Sequence, residues 1–122
     1  MTAPHGSSAS AWLARAEPPP PAALAERLSA LLGEAPIADG PEAVARCVDG
    51  AERVVAGLLR DGCTDRNSAL DLLAADALAT YAFELAGDRP ESLAAVADSA
   101  MARFAALGLA QPVTPPGAAP AA

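Results

Sequence analysis

Apolar residues recur along this chain at three- and four-residue spacing with polar residues between them, a period that predicts α-helices. The clearest run covers residues 41–61. Val44, Cys47, Val48, Ala51, Val54, Val55, Leu58 and Leu59 form one stripe at about 100° per residue, and Glu42, Arg46, Asp49, Arg53 and Arg60 take the other side. Glu42–Arg46 and Asp49–Arg53 place acid before base at i, i+4, which predicts two ion pairs within the helix. Gly62 is the expected stop. Upstream, Leu24, Leu28 and Leu31 predict a helix over about 21–33 that ends at Gly33. A shorter helix over about 10–17 carries Trp12 and Leu13, and the prolines at 18–21 end it in a stiff, extended connector.

The next stretch breaks the pattern. A helix over about 65–86, with Thr64 as N-cap and Gly87 as stop, is apolar on nearly every side. Its Leu70, Leu72, Leu73, Leu78, Tyr81, Phe83 and Leu85 do not share one face. Such a helix is expected at the centre of a bundle with partners on two sides. Either the flanking helices and the Trp12 segment cover it, or a second copy of the chain completes the cover. A last helix, over about 89–107, has a start signal in Asp88 and Glu91, spaced as a capping box around Pro90. Leu93, Val96, Ala97, Ala100, Phe104 and Leu107 form its stripe, and Gly108 is the expected stop.

The pattern therefore predicts an all-α fold: one small antiparallel bundle spanning 9–109, with three long helices and one or two shorter ones. Residues 1–8 and the tail from 110 to 122, rich in proline and alanine, are expected to be disordered. At 122 residues there is room for a single core. Composition agrees with close helix packing. Roughly a quarter of the chain is alanine, which keeps the large-apolar content modest although 52% of residues are hydrophobic. The β-branched and aromatic residues that favour sheets are scarce.

Charge narrows the partners. The net charge is −7 and the basic residues are all arginines, with no lysine. Phosphate backbones require clustered positive charge, so no nucleic-acid partner is expected, and an anionic membrane surface is disfavoured for the same reason. No apolar run reaches membrane-spanning length, and the N-terminus lacks the basic and apolar regions of a signal peptide. Cys47 and Cys63 lie about 24 Å apart along a helix, far beyond disulfide reach, and read as reduced thiols in a cytoplasmic protein.

Most site chemistry is missing. The one histidine, His5, lies in the presumed disordered start, so neither a zinc site of ordinary spacing nor a histidine-based catalytic set is expected. There is no glycine-rich phosphate loop, and lysine-dependent chemistry is excluded. One weak metal candidate remains. Asp76, Thr80 and Glu84 fall at i, i+4 and i+8, and the two carboxylates could hold a hard cation or act as acid and base. The plainer reading leaves them facing solvent or paired with Arg27, Arg53 or Arg103. The stretch AADALATYAFELA, residues 74–86, is similar to a helix of polyprenyl diphosphate synthases. It lacks that family's aspartate-rich DDxxD motif, Asp71 and Asp76 being isolated, and the chain is too short for that family's cavity. The likeness is one of helix composition and carries over no functional residue.

Ala43, Cys47, Gly50, Val54 and Gly57 form a strip of mostly small residues, and interior helical glycines cost roughly 1 kcal/mol each against alanine. A close helix approach at Gly50 and Gly57 is one expectation, and tolerated drift on a solvated face is the other. With Tyr81 and Phe83, these two glycines make up the expected interaction surface. The functional expectation is a protein-interaction or regulatory bundle without catalysis or cofactor, associating with a second copy or another helical protein. A small-molecule or divalent-metal bundle built on Asp76 and Glu84 is the alternative.

Overall fold

A computed structural model describes residues 6–62, 65–87 and 89–110. These form five helices: α1 (Ala9–Ala14), α2 (Ala22–Leu32), α3 (Pro41–Asp61), α4 (Arg66–Ala86) and α5 (Pro90–Ala110). Their packing gives the all-helical bundle that the apolar periodicity predicts, with α4 at its centre against α2, α3 and α5. Short connections fold α3 onto α4 and α4 onto α5 as antiparallel neighbours.

The helix ends follow local chemistry, with two corrections. Gly33 (φ 86°) and Gly62 (φ 87°) stop α2 and α3 in the left-handed region, where L side chains are strained. Gly108 does not stop the last helix, which runs on through it to Ala110. A glycine within a helix is only a weak penalty, and it terminates the helix when its backbone leaves the helical region. The cap of α4 is Asp65, whose carboxylate accepts from the Ser68 N–H at 2.7 Å. Thr64, the expected cap, lies outside the described residues, as does Asp88 of the expected capping box. Hydrogen bonds to the charged carboxylate, from the Ser68 backbone N–H first and then its side chain, hold the Asp65 pKa below that of an ordinary aspartate.

The expected pairs Glu42–Arg46 and Asp49–Arg53 give way to longer-range bonds. Arg46 donates to the carbonyls of Leu32 (2.6 Å), Ala35 (3.0 Å) and Pro36 (2.8 Å), closing the end of α2 and the loop after it. Arg53 donates to the Leu31 carbonyl. Terminal helix carbonyls have no intrahelical partner and sit at the negative end of the dipole, so a guanidinium there satisfies groups that a surface carboxylate would not. Asp49 is left to Arg103 of α5 at 2.5 Å, and Glu52 shares that guanidinium. Arg27 of α2 reaches Asp71 of α4 at 2.5 Å.

The N-terminal segment is tied down sooner than its composition suggests. Ser7 and Ile37 exchange two backbone hydrogen bonds of 3.0 and 2.8 Å, and the Ser8 hydroxyl caps α1 by accepting from Ala11. Thus 6–8 do not follow the expectation of disorder, while 1–5 and 111–122 lie outside the described residues. α1 itself ends at Ala14, before the expected 17. Trp12 and Leu13 are buried with Leu28, Leu32, Ile37, Ala43, Val44, Cys47, Val48, Ala51, Ala74, Leu78 and Ala82 in the main core.

Candidate functional site

Helical phase divides α4 into two faces. Ala74, Ala75, Leu78, Ala82 and Ala86 point inward and are buried. Leu72, Ala79 and Phe83, at i, i+7 and i+11, form an outward stripe, with Ala69 and Leu73 on its flank. Leu72 is 58% exposed, Leu73 57% and Phe83 37%. α5 extends this outer face. Of its described side chains only that of Ala100 is fully buried, while Leu93 stands exposed and Met101, at 69%, is the most exposed large apolar residue among the described ones.

Between these helices lies a groove of about 770 Å³. Ala51 and Val55 of α3, Ala69, Leu72, Leu73, Ala75, Asp76 and Ala79 of α4, and Phe104 of α5 line it. The alanines make it hollow, the leucines and Phe104 give it height, and Asp76 is its one charged group. The site can hold an apolar side chain or helix edge. It offers no nucleophile and no acid–base pair.

A second cleft, of about 260 Å³, lies at the other end of α4, among Trp12, Arg15, Glu17, Asp39, Tyr81 and Glu84. Trp12 donates its indole N–H to the Asp39 carboxylate at 2.8 Å and meets the Tyr81 ring edge to face, centroids 5.8 Å apart at 83°. Partial burial, then the Glu84 carboxylate and the Cys47 thiol, raise the Tyr81 pKa above that of an ordinary phenol.

The two carboxylates of the sequence-level metal candidate are separated by this arrangement. Asp76 lines the apolar groove, whereas Glu84 lines the Trp12 cleft. Eight residues advance a helix by about 12 Å and turn it about 80° beyond two full turns. Both carboxylates are on exposed residues, and Thr80 between them donates its hydroxyl to the Asp76 backbone carbonyl at 2.9 Å. Arg27, Arg53 and Arg103, the expected partners, are engaged elsewhere. Among the described residues no group of three or more His, Cys, Asp or Glu side chains is placed to hold a metal ion.

The four expected interaction residues also part company. Gly50 is buried, and a methyl built on it would lie 3.0 Å from Cδ1 of Leu78, so the close helix approach there is made by this chain's own α4. Gly57 has no such neighbour, only the Arg60 guanidinium at 3.6 Å. Tyr81 is occupied by Trp12, while Phe83 remains outward. Leu72, Leu73, Met101 and Phe104 are the residues that sequence reasoning passed over. The signal was present in Leu72 and Leu73, apolar residues off the buried phase, but which phase is buried depends on the neighbouring helices.

Cys47 is a buried free thiol, its pKa pushed up to about 12 by burial against a smaller opposing effect of Arg46. Cys63 lies past the end of α3 and outside the described residues. No helix among the described residues is long and apolar enough to cross a membrane. Comparison with protein-family models, with curated proteins and with solved structures finds no match to this chain.

Proposed function

We propose that this chain is a non-catalytic protein-interaction module whose working surface is the outer face of α4 and α5. One observation carries the reading: Leu72 and Leu73, each more than half exposed, line an apolar groove of about 770 Å³ that reaches Phe104 of α5, the helix that also exposes Met101. Exposed apolar residues scattered singly need no explanation, but a cluster around a concavity marks a place where another surface docks. A helix is the natural occupant, because an alanine-floored groove admits a ridge of side chains at three- and four-residue spacing. The partner is a second copy or another helical protein. The cytoplasm suits this reading, since a buried thiol such as Cys47 stays reduced there.

The test is affinity capture with a paired control. Wild-type chain and a Leu72→Gln, Met101→Gln variant are used as bait beside a differently tagged copy of the wild type, and captured proteins are identified by mass spectrometry. A defined partner held by the wild type and lost from the variant supports the module. Capture indifferent to both substitutions overturns it.

A further inference from the structure

The three long helices have the same length, 21 residues, but very different holds on the core. α3 buries eight residues and α4 buries five, whereas among the described side chains of α5 only Ala100 is fully buried. Val96 and Phe104 of α5 pack against the core half-buried. Phe104 is covered on one side only, since it also lines the groove of about 770 Å³. Stabilisation by burial scales with the apolar area removed from water, so α5 is held far more weakly than α3 or α4.

Its polar hold is a single side chain. Arg103 donates from Nε to Glu52 at 2.7 Å and from Nη2 to Asp49 at 2.5 Å, both on α3. The fork borders an open cleft of about 360 Å³, and the Arg103 side chain is 34% exposed. Ion pairs that water reaches are screened and contribute little, so this latch opens readily.

We propose that α5 is a movable wall of the groove, a helix that leaves α3 and α4 and returns while the rest of the bundle stays folded. Segments with few buried contacts open as units at a free energy below that of global unfolding. When α5 leaves, Phe104 goes with it, and the groove loses its wall opposite Ala51, Val55, Ala75 and Ala79. On the interaction reading above, this movement regulates how wide a surface the docking face offers, with the Arg103 fork as its latch.

Native-state hydrogen exchange of the full chain, read by mass spectrometry, tests the opening. A detached helix of this length is marginal in water, so its amides exchange whenever it leaves. Amides of 94–107 should exchange about a hundred-fold or more faster than those of 47–58 and 74–82. Arg103→Gln should speed 94–107 a further five-fold or so and leave 47–58 unchanged. A general loss of stability would move every segment together. Equal protection of 94–107 and 47–58 in the wild type overturns the movable wall. An Arg103→Gln effect that is absent from 94–107, or equal in all three segments, overturns it too. The chain is alone in this experiment, so the opening of α5 stands or falls separately from the capture result.

Discussion

On its inner side α4 presents Ala74, Ala75, Leu78, Ala82 and Ala86, all buried, and on its outer side Leu72, Leu73 and Phe83, all exposed. The usual ranking places the larger apolar residues inside. Here four of the five inward residues are alanines, because close approach of α3 leaves space for little more, and Gly50 marks how tight that approach is. The large side chains outside contribute little to folding of a single copy. The difference directs attention to apolar bulk that the chain's own core does not use.

Substitutions at matched leucines break this comparison most directly. Leu78→Ala removes a fully buried side chain and should destabilise the fold by about 3 kcal/mol through lost burial and a residual cavity. Leu73→Ala, measured by urea denaturation at a concentration where the chain is monomeric, should change stability by no more than about 0.5 kcal/mol. Equal losses at both positions would show that the outer face is part of the core.

Cys47 probes the seal on the inner side. Its thiol, with a pKa near 12 against an ordinary value of 9.0, should react with iodoacetamide at pH 8 about a thousand-fold more slowly in the folded chain than after unfolding. Labelling mapped to Cys47 by mass spectrometry reads this directly. The same shift sets a sign for stability. A pKa raised in the folded state adds stability that is whole below pH 9 and is lost as pH climbs from about 9 towards 12, while the unfolded chain ionises and the folded one does not. Cys47→Ala should flatten that alkaline decline.

Trp12→Phe keeps most of the ring contact with Tyr81 and removes the hydrogen bond to Asp39. It should cost about 1–2 kcal/mol by thermal unfolding, because the acceptor is a carboxylate. A neutral result would mean that core packing of Leu13 and the pairing of Ser7 with Ile37 hold the N-terminal segment without help from Asp39.

The two α3 glycines sharpen the comparison with the smallest effects, which should differ in sign. Gly57→Ala has room and should stabilise by about 0.5–1 kcal/mol through helix propensity. Gly50→Ala gains the same propensity but presses a methyl against Leu78, and overpacking of a buried site costs about 1–3 kcal/mol, so the net change should be a loss. Equal stabilisation by both would remove the close approach of α4.

Much of the fold was legible in the residues. α3 appears in the structure with the predicted bounds and is buried along its stripe at Val44, Cys47, Val48, Ala51, Val54 and Leu58, whereas Leu59, expected in that stripe, is 46% exposed; α4 is central as its all-round apolarity implies. These features arise from periodicity, which depends on neighbours within a few residues. The candidate site was far less legible. Asp76 and Glu84 read as a pair because i and i+8 lie on roughly one side of a helix, yet the Trp12 ring against Tyr81 at one end and α5 packed on α4 at the other leave them lining different cavities.

The sequence by itself determined the helical class, the extents of α2, α3 and α4 to within a residue, and the lack of any lysine. Those are consequences of local spacing and of which residue types are present. Only the tertiary structure decided that Arg46 and Arg53 leave their i−4 acids for carbonyls at the end of α2, that Ser7 pairs with Ile37, and that Gly50 receives Leu78. Each joins groups from different elements, and the free energy of satisfying a buried or terminal carbonyl exceeds the few tenths of a kcal/mol available from a solvent-exposed ion pair. The outer leucines belong to the same class. Leu72 and Leu78 are the same residue on the same helix, and it is the position of α3 that buries one and leaves the other exposed.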